Sequence, residues 1–217
     1  MTVSPAKGPP QRTVLEGLYA RLEPLGPEHA SDLWAAANDP GATERYRYLF
    51  ETAPGSLSDM EAWVHRVHTQ EDPLVFAVVD RATGRAGGRQ SLMRIVPEHG
   101  VIEIGGIYWG PGVARTRLAT EALYLFARHS FEDLGYRRFE WKCNNANAPS
   151  KRAAERFGFS FEGVFRQHMI QKGENRDTAW FSMLDSEWPE RKAGFELWLD
   201  EANFDADCNQ KAPLRVR

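Results

Sequence analysis

The chain has 217 residues, of which 42% are hydrophobic and 12% aromatic, and its formal net charge is −3 at pH 7. This composition supports a packed core and excludes a largely disordered chain. The slightly acidic balance argues against a dedicated nucleic-acid-binding protein, because such domains are usually strongly basic.

The sequence shows no secretory leader and no apolar run of membrane-spanning length. Its two cysteines, Cys143 and Cys208, are far apart and follow neither a disulfide pattern nor a metal-binding pattern. We therefore expect a cytoplasmic protein that has no membrane or nucleic-acid partner and binds no metal ion.

The first half of the chain predicts one strand, two helices and three further strands. Residues 1–17 contain several Pro and Gly residues and are expected to form a flexible arm. Alternating or continuous apolar side chains predict strands at residues 18–25, 74–79, 88–96 and 101–109. Apolar side chains spaced by three or four residues predict helices at residues 27–38 and 58–68, and Ser58-Asp59 is the expected cap of the second helix.

The second half predicts two helices that alternate with strands. A long amphipathic helix is expected from about residue 116 to residue 134, with Gly135 ending it. A strand at residues 136–142 leads to a short helix at residues 149–157, which Gly158 ends.

An antiparallel pair of strands at residues 159–171 and 178–184 completes the predicted sheet. The second of these strands is expected to be an exposed edge that could pair across a dimer. Residues 189–217 are expected to form a surface helix and a polar tail. The resulting order, β-α-α-β-β-β-α-β-α-β-β, predicts one α/β domain at residues 18–188, with helices on both faces of a mixed sheet.

Two strand-to-helix junctions carry the main functional signal. At the first, the strand at residues 101–109 ends at Gly110-Pro-Gly112, and the long helix follows. A helix N-terminus has unpaired amide N–H groups and partial positive charge, so this junction is suited to bind an anion. A second junction, at residues 143–150, comes about thirty residues later. Together the two junctions suggest one ligand held between two neighbouring strands.

These residues resemble the GNAT superfamily of acetyl-CoA-dependent N-acetyltransferases, and within it the RimJ/RimL-type group of ribosomal-protein acetyltransferases. The motifs that carry the resemblance are Glu103-Ile-Gly-Gly, Ala119-Thr-Glu-Ala122, Asn147-Ala-Pro-Ser150, Arg156-Phe-Gly-Phe159 and Glu162-Gly163. It covers roughly residues 18–188. The resemblance implies a sheet splayed between its fourth and fifth strands. Acetyl-CoA would lie there, with its pantetheine arm in the gap and its pyrophosphate on the amides before the long helix.

The resemblance also implies which residues contact the cofactor. They are Ile107, Tyr108, Trp109, Arg115, Thr116, Arg117, Leu118, Ala119, Thr120, Asn147 and Ser150. A backbone N–H at residues 107–109 is the expected oxyanion donor. Trp109 could line the thioester channel or belong to the core. Thr116 and Thr120 could offer hydroxyls to phosphate or cap the helix.

One departure from the family pattern lies in the phosphate loop, where Arg115 and Arg117 occupy positions that are usually glycine. Glycine allows close approach of a backbone to phosphate, but helical dihedrals in a first helical turn do not require it. The two side chains would point to different sides of a helix. We expect one guanidinium to bind phosphate and the other to face solvent, so that cofactor binding is retained.

Direct acetyl transfer requires an unprotonated amine, and Glu103 and His168 are the candidate general bases. An α-amine titrates near 8 and a lysine amine near 10.4, so an α-amine needs much less help at neutral pH. Glu103 lies on the splayed strand, where an ordinary solvated carboxylate is the alternative. His168 lies on the penultimate strand and titrates near neutral pH without tuning. The sequence leaves these two, and a water relay to either, as open alternatives.

Ser150 stands where RimL-like enzymes place a hydroxyl that faces the CoA sulfur. A leaving thiolate with a conjugate acid near 8.5 needs only one donated hydrogen bond, which a serine can provide. The alternative is a serine that satisfies a helix amide. Asn147 would bond the pantetheine amides or act as a turn residue. Cys143 could form an acyl intermediate, but it has no evident partner base, so a buried inert thiol is favoured.

The leading hypothesis is an N-acetyltransferase that moves acetyl from acetyl-CoA to a primary amine in a ternary complex. The acceptor could be a protein N-terminus, an amino acid or a small amine, and the enzyme a monomer or a homodimer. The alternative is a non-catalytic acyl-CoA-binding or sensor domain, suggested by Arg115 and Arg117. A third, weaker hypothesis is an RNA contact, which the acidic balance disfavours.

Overall fold

The computed structural model describes residues 4–216, in which eight strands form one mixed sheet. The strands are β1 (Leu15–Glu16), β2 (Ala20–Pro24), β3 (Leu74–Asp80), β4 (Arg85–Val96), β5 (Val101–Trp109), β6 (Arg138–Asn144), β7 (Ser160–Gln171) and β8 (Glu174–Leu184). The helices are α1 (Ala30–Ala37), α2 (Ala42–Tyr46), α3 (Leu57–Val67), α4 (Arg117–Arg128), α5 (Ala148–Arg156) and α6 (Trp188–Leu199). The predicted element order is confirmed, with the short β1 and α2 as additions to it.

The spatial order of the strands is β1-β2-β3-β4-β5-β6-β8-β7. Every neighbouring pair is antiparallel except β5 and β6, which run parallel. Their pairing ends at Ile104 opposite Trp141, although β5 continues to Trp109 and β6 to Asn144. The sheet is therefore splayed between the fourth and fifth predicted strands, as expected. We call this gap, between residues 105–109 and residues 142–144, the fork.

Helices cover both faces of the sheet and enclose two hydrophobic cores. The first core lies against α4, α5 and α6 and includes the fully buried Phe126, Phe139 and Phe195. The second core lies against α1, α2 and α3 and includes Leu33 and Val64. The strands between the two cores are apolar on both faces, as in β3, where only the last residue is more than slightly exposed.

A β-bulge in β5 changes which side chains face each core. The register between β4 and β5 shifts by one residue between Arg89 and Ser91, and Gly106 there has a φ of +57°. A left-handed glycine in a bulge inserts one extra residue without steric cost. Strict alternation would otherwise put residues 103 and 108 on opposite faces. The bulge instead gives Glu103 and Tyr108 the same face, on the side of the second core.

Several local expectations differ from the structure. The cap of α3 is Ser56, whose Oγ accepts a hydrogen bond from the Asp59 amide, rather than Ser58. The α-helical part of the long helix ends at Arg128, and a π-helical turn continues it to Asp133. The strand predicted to be an exposed edge, β8, lies between β6 and β7, so β7 is the edge instead. Hydrophobic pattern alone does not specify the spatial order of strands.

The N-terminal segment is packed against the domain rather than extending as a flexible arm. The amides of Ala6 and Lys7 donate to the carbonyls of Pro97 and Leu134. Farther along, the buried carboxylate of Glu121 accepts hydrogen bonds of 2.6, 2.6 and 2.5 Å from the amides of residues 18, 19 and 20. Residues 1–3 of the predicted arm lie outside the described residues.

The C-terminal segment is also packed more closely than its polar composition suggests. Helix α6, which the sequence places on the surface, buries Trp188, Phe195 and Trp198 in the first core. In the tail that follows, Phe204 and Val216 are buried in the same core. Because apolar side chains occur all around α6 rather than on one stripe, their burial could not be read from periodicity.

Candidate active site

The fork leaves part of the β5 backbone without a partner strand. Beyond Ile104, β5 pairs only with β4, so alternate main-chain groups point into the gap. The side chains predicted to contact a cofactor divide between the two faces. Ile107 and Trp109 pack on the first core, and the Trp109 indole donates to Gln90 Oε1 at 3.2 Å. Tyr108 lies in the second core, where its hydroxyl donates to the Ala36 carbonyl at 3.0 Å.

The loop after β5 leads into a capped helix N-terminus. Arg115 has a φ of +66°, and α4 begins only at Arg117, so the helical dihedrals expected for residue 115 are wrong. Its left-handed backbone is a conformation that glycine adopts freely and other residues rarely adopt. Thr116 is the N-cap, and its Oγ1 accepts from the Leu118 amide. The loop backbone thus adopts a conformation typical of glycine at residue 115, although that residue is an arginine.

The two loop arginines have different surroundings. Arg115 is exposed, whereas the Arg117 guanidinium lies 4.0 Å from the centroid of the Tyr19 ring and 5.4 Å from that of Phe204. Arg117 is therefore held by cation–π contacts at a half-buried position, whereas Arg115 is exposed to solvent. Of the two, only Arg115 has a guanidinium that is free to reach a phosphate at this loop.

The following residues of α4 mainly build the core. Leu118 and Ala119 are buried, so they can offer a ligand only their backbone. Thr120 is 1% exposed, and its hydroxyl accepts a hydrogen bond of 3.1 Å from Arg156 of α5. The first turn of α4 and the end of α5 are thus joined beside the loop. Thr120 supports this junction and does not present its hydroxyl at the surface.

The second junction brings Ser150 to the first-core side of the fork. Asn147 is the N-cap of α5, and its Oδ1 accepts from the Ser150 amide at 3.1 Å. The Ser150 hydroxyl accepts a hydrogen bond of 2.9 Å from the Trp141 indole. It also lies close enough to Cys143 to hydrogen-bond its sulfur. Burial raises the pKa of the Cys143 thiol, with this hydrogen bond opposing the shift, so the thiol is held protonated.

Glu103 lies one residue before the end of the β5–β6 pairing and belongs to a buried charge network. The side chain is 4% exposed, and its Oε2 lies 2.9 Å from Lys142 Nζ and 3.2 Å from Arg94 Nε. Lys142 Nζ also pairs with Glu140 at 2.6 Å. Burial raises the pKa of Glu103, and Lys142 and Arg94 oppose that shift. The expected alternative of an ordinary solvated carboxylate does not apply, because this group is buried.

His168 lies on the edge strand β7 and is partly exposed. Its Nδ1 is 3.0 Å from Thr178 Oγ1, and its ring packs beside Phe165 and Trp180. Desolvation lowers the pKa of His168, and the nearby cations Arg94, Arg176 and Lys142 lower it further. A neutral imidazole can accept a proton, but a lowered pKa makes it a weaker base.

Comparison with known proteins shows the family. Residues 20–160 match the profile described as an acetyltransferase (GNAT) domain. A GCN5-related N-acetyltransferase from Brucella melitensis superposes with a TM-score of 0.95 at 53% identity, covering 98% of this chain and 96% of that one. A GNAT-family structure from Chromobacterium violaceum gives 0.78 at 37%, covering 86% and 93%. The N-acetyltransferase p20 of Bacillus licheniformis is 26% identical over 181 residues, covering 80% of this chain and 99% of p20.

The chain belongs to the GNAT family of acetyltransferases. It is therefore an acyltransferase, and its acetyl donor is acetyl-CoA. The residues at the fork suit this donor, because they combine strand amides that no neighbouring strand pairs, a capped helix N-terminus and the hydroxyl of Ser150. Among residues 4–216, no group of three or more His, Cys, Asp or Glu side chains is placed to bind a metal ion. No helix within that range combines the length and apolar composition that crossing a membrane requires.

A cleft on the second-core side of this acetyltransferase leads toward the open end of the fork. It has a volume of about 530 Å³ and lies between the α2 region, the end of β6 and the β7–β8 turn. Two hydrogen bonds tie the turn to the α2 region, from Gln171 Nε2 to the Tyr48 carbonyl at 3.0 Å and from Lys172 Nζ to the Tyr46 carbonyl at 2.8 Å. We call it the acceptor cleft.

Sequence reasoning missed two buried arginines on this side of the sheet. Arg89 of β4 donates to the carbonyl of Gly106 at 2.6 Å, pairs with Glu51 and lies 4.3 Å from the centroid of the Trp63 ring. Arg176 of β8 lies near Phe50. Both strands carry other charged or polar residues beside the arginine, so the sequence offers no clear signal. Only the fold shows that these two arginines face the same side as Glu103.

Proposed function

We propose that this acetyltransferase moves acetyl from acetyl-CoA to a primary amine by direct attack in a ternary complex, in the manner of the RimJ/RimL-type group. The observation that carries the proposal is the position of Glu103. The pKa of its carboxylate is raised, and Glu103 lies in the last β5–β6 pairs before the fork, on the face of the acceptor cleft. Ser150, whose proposed role is to bond the CoA sulfur, lies on the opposite face. The two groups thus lie on opposite faces of the sheet, and the fork that would hold the acyl group lies between them.

In the proposed reaction, the amine nitrogen attacks the thioester carbonyl carbon and a tetrahedral intermediate forms. Glu103, directly or through water, takes one proton from the amine, and a raised pKa makes it a stronger base than an ordinary glutamate. Amides of β5 beyond Ile104 are suited to stabilise the oxyanion, because no strand opposes them. The carbon–sulfur bond then breaks, and the CoA thiolate leaves with a hydrogen bond from Ser150 before it gains a proton.

The proposed donor site uses the loop at residues 110–116 and the first turn of α4 for the CoA pyrophosphate. Support comes from the left-handed backbone of Arg115 and the cap at Thr116. The amides of residues 113, 114 and 116 bond within the loop, so the Arg115 amide and the first turn of α4 are the donors proposed for phosphate. The Nδ2 hydrogens of Asn147 are left to donate to pantetheine, since its Oδ1 already accepts from Ser150.

Turnover with a panel of amines tests the proposal. Purified protein and acetyl-CoA should release free thiol only when a suitable amine is present, and mass spectrometry should find that amine heavier by one acetyl group. Tight CoA binding without thiol release across N-terminal peptides, amino acids and small amines would instead favour the non-catalytic acyl-CoA-binding alternative.

A further inference from the structure

Arg176 is a buried arginine that lacks a carboxylate partner. It is 7% exposed, and the other two arginines with comparable burial, Arg89 and Arg191, each lie within 4.0 Å of a glutamate. Within residues 4–216, no carboxylate pairs with Arg176 at that distance, and Glu103 attracts it only from a longer range. Since a buried charge without an ionic partner destabilises a fold, stability alone does not explain why an arginine occupies this position.

The contacts that Arg176 does make are neutral and leave donors unused. Its Nε lies 3.2 Å from Thr178 Oγ1, and its Nη1 donates to Gln171 Oε1 at 3.3 Å. The Phe50 ring, 57% exposed, has its centroid 5.3 Å from the guanidinium carbon. A guanidinium has five N–H donors in a planar fork, and this fork matches a carboxylate. Two neutral acceptors therefore leave capacity for an anion.

The position of Arg176 relates it to the acceptor rather than to the donor. Gln171, which binds its Nη1, lines the acceptor cleft. Along β8, residues 176, 178 and 180 alternate onto one face, and Trp180 of that face packs under Lys142 Nζ at 3.9 Å. Lys142 in turn pairs with Glu103. Arg176 thus lies on the face from which an amine would approach Glu103.

The charges on this face leave one cation in excess. Arg94, Lys142 and Arg138 are matched by Glu103, Glu140 and Glu162, and Arg176 is the fourth cation. A single negative charge would complete the set, which fits a carboxylate better than a doubly charged phosphate.

We propose that Arg176 binds a carboxylate of the acceptor, so that the acceptor class is a small amine that also carries a carboxylate, such as an amino acid. This inference rests on the proposed function, because it assumes that an amine is acetylated at the fork. The guanidinium would hold the carboxylate beside Gln171, which lines the acceptor cleft, and direct the amine toward Glu103. Binding would also remove the cost of the unpaired buried charge.

The test compares each amino acid with its own carboxamide as acceptor, by kcat/KM at saturating acetyl-CoA. Wild-type protein should prefer the carboxylate by roughly 10- to 100-fold. Arg176→Gln should remove that preference, mainly by raising the KM for the amino acid. It should leave kcat/KM for the carboxamide and the KM of acetyl-CoA nearly unchanged. Arg176→Lys, which keeps the positive charge, should retain part of the preference for the carboxylate. Arg166→Gln, an exposed arginine of the same hairpin, is the matched control and should behave as wild type.

Equal rates for acid and carboxamide in the wild-type protein would overturn this inference and leave the proposed function standing. An equal loss on both acceptors in folded Arg176→Gln, with partial activity in Arg176→Lys, would also overturn it, because a structural role predicts that result. Absence of transfer to every acceptor would overturn the proposed function itself, together with this inference.

Discussion

The Trp141 indole donates a hydrogen bond of 2.9 Å to the hydroxyl of Ser150. An indole N–H is only a donor, so this bond occupies an oxygen lone pair and leaves the hydroxyl hydrogen to be donated, in this structure toward the nearby Cys143 sulfur. The capping role at this helix is taken by Asn147, whose Oδ1 accepts from the Ser150 amide. Between the two roles that the sequence left open for Ser150, this geometry favours donation to sulfur over capping.

Replacing Ser150 should slow the departure of the thiol. We expect Ser150→Ala to lower kcat by roughly 10- to 100-fold, because a hydrogen bond to a charged group is lost in the transition state, and to leave the KM of acetyl-CoA within about three-fold. Thiol release measured at varied acetyl-CoA concentration gives both constants. Cys143→Ala is the control and should keep near wild-type kcat, since its thiol is buried and protonated. An inactive Cys143→Ala beside an active Ser150→Ala would indicate an acyl-cysteine route.

Replacing Glu103 should change the dependence of rate on pH. The carboxylate must be ionised to accept a proton, so kcat/KM should fall as pH decreases through its raised pKa, above the ordinary value near 4.3. Glu103→Gln should lose about 10²- to 10⁴-fold at pH 7. That deficit should shrink above the pKa of the acceptor amine, because the amine then needs no base. Profiles of kcat/KM from pH 5 to pH 10 provide the measurement.

The matched variant for this profile is His168→Gln, which should keep the acid limb because the limb belongs to Glu103. If His168→Gln abolishes the limb and Glu103→Gln retains it, the roles of the two residues are reversed.

Two substitutions of Arg115 separate its backbone from its guanidinium. Arg115→Gly keeps a positive φ available, whereas Arg115→Pro fixes φ near −65°. If loop amides carry most of the phosphate binding, the Kd of CoA should change by less than about five-fold in the first variant and rise by more than about ten-fold in the second. Calorimetry with CoA measures both. Equal weakening in the two variants would show that the guanidinium, which both lack, is the dominant contact.

Removing the carboxylate of Glu121 should destabilise the fold. Glu121→Ala leaves the buried amides of Tyr19 and Ala20, and the part-buried amide of Leu18, without an acceptor. Each unsatisfied buried group costs about 1–3 kcal/mol, so the free energy of unfolding should fall by at least about 2–4 kcal/mol. Urea denaturation measures this loss. Glu155→Ala, on the exposed side of α5, is the control and should change it by less than about 0.5 kcal/mol. A Glu121→Ala variant as stable as this control would mean that water replaces the carboxylate.

The order of elements could be predicted from the sequence, because hydrophobic period is a local signal. The splayed sheet was implied by the family resemblance, which rests on motifs that are also local. The position of β8 inside the sheet could not, because strand order depends on pairing between distant segments. The motif containing Glu121 was noticed only as part of the resemblance, and its binding of residues 18–20 is a contact across a hundred residues. The same limit applies to Arg176, whose lack of a partner is visible only when its neighbours are placed.

The bulge at Gly106 makes β5 sensitive to the deletion of a single residue. Removing one residue there would restore strict alternation along the rest of β5. Tyr108 would then turn out of the second core, and the hydrophobic side chains of Ile107 and Trp109 would exchange sides with it. A single-codon deletion at this site should therefore be far more damaging than most point substitutions nearby, because it inverts three side chains at once.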